Sequence, residues 1–107
     1  MQDPIVNTIN IPAAGTPEPA PLYKAADRPM RLLVRNVGGP PLFLAYDPAT
    51  LQNNAAAGLN GTFTLPADRS EVFVLAPRQG MYATADGGGG TASIAVSEAF
   101  PVSWGES

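Results

Sequence analysis

A small antiparallel β-sandwich, jelly-roll-like or immunoglobulin-like and led by an extended proline-rich N-terminal arm, is the all-β architecture that three features of this chain point to. From residue 30 onward, short apolar runs alternate with turn residues at the spacing of an all-β domain. Several of those runs place apolar side chains at every second position, as a half-buried strand does. Ahead of them, Pro4, Pro12, Pro17, Pro19, Pro21 and Pro29 remove backbone donors and bias the residues before them toward extended geometry. The 107 residues thus divide into an arm, 1–29, and a sandwich domain, 30–107.

Within the arm, Ile5, Val6, Ile9 and Ile11 form a β-branched patch able to add to a sheet edge, its own or a neighbour's. Residues 15–22, Gly-Thr-Pro-Glu-Pro-Ala-Pro-Leu, read as polyproline II, a stiff spacer rising about 3.1 Å per residue.

In the sandwich, residues 30–37 place Met30, Leu32 and Val34 on one side and Arg31 and Arg35 on the other. Residues 42–46, Leu-Phe-Leu-Ala-Tyr, are apolar on both faces, as a doubly covered strand is. Residues 49–59 have no clear period; their alanines allow one helical turn, while Asn and Gly favour a loop. Phe63 and Leu65 then face inward between outward threonines, and 66–70 is a turn. Residues 71–76 are a strand with apolar side chains on both faces, closed by the turn 77–80. Residues 81–85 and 91–96 flank Asp86 and four glycines and are expected to pair as a hairpin, with Ala92, Ile94 and Val96 inward. The count is about six strands, and a sandwich that short buries only about 60% of its unfolded surface, which makes partners a source of stability.

Composition excludes much chemistry. With no Cys and no His there is no disulfide, no thiolate metal site, no Cys nucleophile and no imidazole base. A net charge of −3 with six scattered cations lacks the positive face that phosphates require, so nucleic acid is not an expected direct partner. Runs such as 32–34 and 42–45 fall far short of the ~20 apolar residues that span a bilayer, and the N-terminus has no basic-then-apolar signal pattern. The charged fraction, 14%, is well below the usual ~25%, which fits a surface pressed against protein.

Catalysis would rest on carboxylates, of which Asp47, Asp68 and Asp86 stand where Asx side chains cap turns. Asp27, Glu71 and Glu98 complete the candidates, and no segment has the alternating acidic spacing of a calcium loop. The glycines at 87–90 lack the Lys-Ser/Thr and following helix of a phosphate loop. No enzyme and no cofactor are expected. Arg28, Arg31 and Arg35 form the one basic group, a solvated face or a contact for an acidic protein; Tyr23 and Trp104, outside the strands, are the aromatics free for a partner.

Taken in order, residues 33–38 (Leu-Val-Arg-Asn-Val-Gly), 42–44 (Leu-Phe-Leu), 61–67 (Gly-Thr-Phe-Thr-Leu-Pro-Ala), 71–75 (Glu-Val-Phe-Val-Leu), 80–83 (Gly-Met-Tyr-Ala) and 91–98 (Thr-Ala-Ser-Ile-Ala-Val-Ser-Glu) resemble small β-sandwich virion proteins of tailed bacteriophages. Those proteins repeat a V-x-N-x-G strand, a short apolar strand, a G-x-x-L-P-A-G-E turn, an L-Y-A strand and a G-T-A-x-V-x-V-x-E final strand. The likeness spans about residues 31–98; it departs at 66–71, where Pro-Ala-Asp-Arg-Ser-Glu replaces the glycine-containing turn, and in the added loop at 49–59.

The resemblance implies a virion structural protein, made in the host cytoplasm and placed as capsid decoration (cement), head fibre, tail or neck. A stiff arm able to reach over neighbouring subunits favours the decoration role, with the sandwich outside the major capsid lattice. The expected partners are the major capsid protein and further copies of the chain, as a trimer at threefold points. The contacts fall to Ile5, Val6, Ile9, Ile11, Tyr23, Arg28, Arg31, Arg35 and Trp104. A reading of another class is a small carbohydrate-binding module using Tyr23, Tyr46 and Trp104.

Overall fold

The alternation that begins at residue 30 is realised as a nine-residue strand. In the computed structural model, which describes residues 5–52, 62–86 and 89–99 and only the backbone of 5 and 6, the chain runs β1 (Ile5–Ile11), β2 (Ala20–Lys24), β3 (Met30–Gly38), β4 (Leu42–Ala45), α1 (Pro48–Leu51), β5 (Thr62–Leu65), β6 (Ser70–Leu75), β7 (Gly80–Ala85) and β8 (Gly90–Glu98). The strands form two four-stranded antiparallel sheets, ordered β1-β8-β3-β6 and β2-β7-β4-β5. Each sheet thereby takes pairs whose ordinals add to nine (1 with 8, 3 with 6, 2 with 7, 4 with 5), the wrapping of a jelly roll. The expectation of a small β-sandwich is met, and of its two forms the jelly roll is the one present.

Period-two patterning decides which side chains meet between the sheets. Leu32 and Val34 of β3, Phe73 and Leu75 of β6, and Ala92, Ile94 and Val96 of β8 face Leu42 and Leu44 of β4 and Met81, Ala83 and Ala85 of β7. The all-apolar β4 is covered twice. Its Leu42 and Leu44 join that core, while Phe43 and Ala45 join Leu51 of α1 in a second cluster, against which Ala14 and Tyr82 pack. The helix forms because Asp47 accepts from the Ala49 amide at 3.0 Å and Pro48 sits in its first turn, where no donor is missed; it ends after one turn as Gln52 returns to extended backbone. Residues 53–59 of the expected loop lie outside the described residues.

Two expectations are corrected. Of the expected arm 1–29, residues 1–4 lie outside the described residues, and the rest does not stand apart: β1 pairs with β8 from Ile5↔Val96 to Ile11↔Gly90 and β2 pairs with β7, with an irregularity between Pro21 and Tyr23. Ile11 and Leu22 are buried in the main core. Prolines misled because polyproline II and β are both extended, and an edge strand such as β2 tolerates Pro21. Residues 81–85 and 91–96 are not a hairpin either: β7 lies between β2 and β4 in one sheet and β8 between β1 and β3 in the other. The chain crosses from sheet to sheet between them, passing Gly89 at φ +108, where a Cβ would come within 3.0 Å of the Ile11 carbonyl oxygen.

Candidate assembly surface

Only some of the expected contact residues are free to make contacts. Ile11 is core, Ile9 packs partly against it, and Tyr23 does the same from β2. Ile5 and Val6 pair with Val96 and Ala95 of their own chain, so their backbone completes this sandwich's edge. Arg28 binds Glu98 at 2.7 Å, closing the β2–β3 connection onto the end of β8. Tyr46 stacks edge-on against Phe63 and Phe73 at the β5/β6 margin, and like Tyr23 it packs partly buried against the main core. Trp104 lies outside the described residues.

Arg31 and Arg35 do point outward, from the middle of the β1-β8-β3-β6 sheet. Beside them on that face stand Leu33, Val37, Val72 and Val74, whose exposures are 37, 42, 50 and 51%. The registers Leu33↔Val72 and Arg31↔Val74 make Leu33, Val72 and Val74 contiguous, with the Leu33 row between Arg31 and Arg35, Val74 opposite Arg31, and Val37 beyond Arg35. The sequence signalled β6 as apolar on both faces; that its outer valines would stay uncovered depends on strand order, which is not local information.

The rim of this face is an edge strand with a defined hydrogen-bonding phase. Asp68 is left-handed (φ 63) and donates to the Asn36 carbonyl at 3.0 Å, while the Asn36 amide donates to the Arg69 carbonyl at 2.9 Å. Two residues opposite one, the first left-handed, make a G1-type bulge. Alternation from that pair turns the backbone of Glu71, Phe73 and Leu75 toward β3 and that of Ser70, Val72 and Val74 toward the free edge. Beyond them the Ala76 amide is closed off by Gln79 Oε1 at 2.9 Å. Edges are normally blunted by Pro, Lys or shortness; β2 carries Pro21 and Lys24 and β5 has four residues, whereas β6 and the seven-residue β1 carry no such device.

Between the margins of β5 and β6 a shallow open cleft of about 100 Å³ is lined by Leu44, Phe63, Thr64, Leu65, Glu71 and Phe73. Phe63 faces the core side as its alternation requires and touches Phe73 at a ring separation of 5.2 Å, yet it is 44% exposed because among the described residues no strand pairs with the outer edge of β5.

The opposite sheet is covered instead of open. Residues 12–19 and α1 lie over it, tied together by Gln52 Nε2 donating to the Pro17 carbonyl at 3.0 Å and by Ala14 donating to Ala85 at 2.7 Å. Glu18 and Asp47 are exposed on this cover. Among the described residues no group of three or more Asp and Glu is placed to hold a metal ion.

No family model matches the chain, and no curated protein matches it. Among solved structures, a chain of the Bacillus endospore appendages, a novel family of disulfide-linked pili, is similar in fold: TM-score 0.51, 12% identity, covering 90% of this chain and 86% of that one. At that identity the likeness concerns the fold; the present chain has no cysteine with which to form such linkages.

Proposed function

We propose that this protein is a non-catalytic subunit of a repeating protein assembly, and that the assembly is the shell of a tailed bacteriophage, which it decorates by binding the major capsid protein. The observation that carries the reading is the unblunted edge of β6, where Ser70, Val72 and Val74 offer backbone donors and acceptors beside half-exposed valines. Such an edge takes up an extended strand from a partner, main-chain bonds supplying affinity and alternate side chains supplying register. Linking of neighbours is thereby assigned to β6, whose valines stand half exposed beside its edge; β1 is the other edge of the same sheet, and β2 is an edge of the second sheet that carries Pro21 and Lys24. Repetition around a shell turns a modest single contact into avidity. The phage setting rests on the resemblance of residues 31–98; membership of a repeating assembly is also supported by the endospore-appendage neighbour, itself a component of pili.

Hydrogen exchange tests this reading. The amides of Val72 and Val74 exchange rapidly in the free chain and become protected when it is bound to capsids. Unchanged exchange at these amides on capsids overturns the edge-strand contact.

A further inference from the structure

The two broad sides of the sandwich carry opposite charge, and we infer that copies of this chain stack face to back, the arginine-bearing side of one on the acidic cover of the next. On the open sheet, the described outward positions of β1, β3, β6 and β8 include Arg31 and Arg35 and no carboxylate. On the other side, residues 12–19 and 46–52 include exposed Glu18 and Asp47 and no Lys or Arg, and β2 turns the single cation Lys24 outward at its end, so that side is negative on balance. Apart from those two arginines, four cations stand against nine Asp and Glu, so the rest of the chain is acidic. Each copy thus offers a positive face and a negative back to its neighbours.

Packing agrees with polarity. The open face exposes Leu33, Val72 and Val74, while the cover presents Pro17 and Ala49 beside its carboxylates. Stacking buries these apolar side chains and brings the carboxylates to the arginines on either side of Leu33. Arg31 and Arg35, four residues apart on one strand, are separated by about 13 Å, so they fit two separate anions and not a single one. A twofold pairing of two open faces instead brings four arginines together with no carboxylate between them, an arrangement that like-charge repulsion disfavours. Because the complementary surfaces lie on opposite sides, the contact is heterologous and repeats in a row without closing on a pair. The inference does not rest on the capsid reading, for it needs no other protein.

Sedimentation velocity of the full chain over a concentration series at low and high salt is the test. The wild type associates with rising concentration, and salt weakens the association because the paired charges are screened. Arg31→Glu with Arg35→Glu weakens it more than about tenfold. Glu18→Lys with Asp47→Ser does the same, Ser keeping an N-cap acceptor for α1. Circular dichroism confirms that both variants are folded, and their equimolar mixture associates again, each reversed side finding its complement. A wild type that stays monomeric at all salts, a face-reversed variant that associates as the wild type does, or a mixture that remains monomeric overturns the inference. Capsid binding is scored separately, so its loss and the loss of stacking are distinguishable.

Discussion

Asn36 Nδ2 donates to the Leu65 carbonyl at 3.0 Å, and through that bond a fully buried side chain of β3 ties one sheet of the sandwich to the other. The same amide nitrogen donates to the Pro40 carbonyl at 2.9 Å, and Asn36 Oδ1 accepts from the Gly38 amide at 3.2 Å. With its backbone in the bulge opposite Asp68 and Arg69, Asn36 has all of its own polar groups bonded and holds the start of β6 in phase.

Asn36→Leu fills the volume and leaves two carbonyls without a donor, so it is expected to destabilise the fold by about 3 kcal/mol. In thermal unfolding that corresponds to a drop of roughly 10–20 °C for a domain of this size. An unchanged midpoint means the bonds carry no net stability.

Deleting residues 1–24 removes one strand from each sheet and the buried Ile11, Ala20 and Leu22. The shortened chain is expected to lose cooperative thermal unfolding by circular dichroism. Retention of a cooperative transition restores the arm reading of this segment.

Thr84 is fully buried opposite Phe43, and its hydroxyl has no hydrogen-bond partner. Thr84→Val keeps the shape and removes the orphaned group, with an expected gain of about 1 kcal/mol in denaturant unfolding. Thr84→Ser retains the hydroxyl and loses a methyl, and lowers stability.

Gly89→Ala meets two obstacles, a φ of +108 and the Ile11 carbonyl 3.0 Å from the new Cβ. Its expected cost is about 2 kcal/mol, read as a lowered unfolding midpoint. A neutral effect contradicts the tight crossing from β7 to β8.

Residues whose environment is set by their own strand were legible in the sequence. Leu32, Val34, Ile94 and Val96 are inward, Arg31 and Arg35 outward, β4 is covered on both faces, and Asp47 caps its turn, all from local periodicity and turn chemistry. What the sequence hid is non-local. Pro21 reads alike in a polyproline spacer and in an edge strand, and only the pairing of β2 with β7 distinguishes them. The glycines after Asp86 suit a hairpin tip as well as a crossing between sheets. Val72 and Val74 look like core until β6 is found at the edge, so the surface with the strongest claim to a partner was the part least visible beforehand.

Counting bound copies is the most direct test of the proposed role: the purified chain is mixed with undecorated phage capsids, the shells are sedimented, and the bound chain is measured against the major capsid protein. Saturation near one copy per about one to three shell subunits, as lattice symmetry requires of a decorating protein, is the predicted result. A chain that stays in the supernatant, or binds only a few copies per particle, contradicts it.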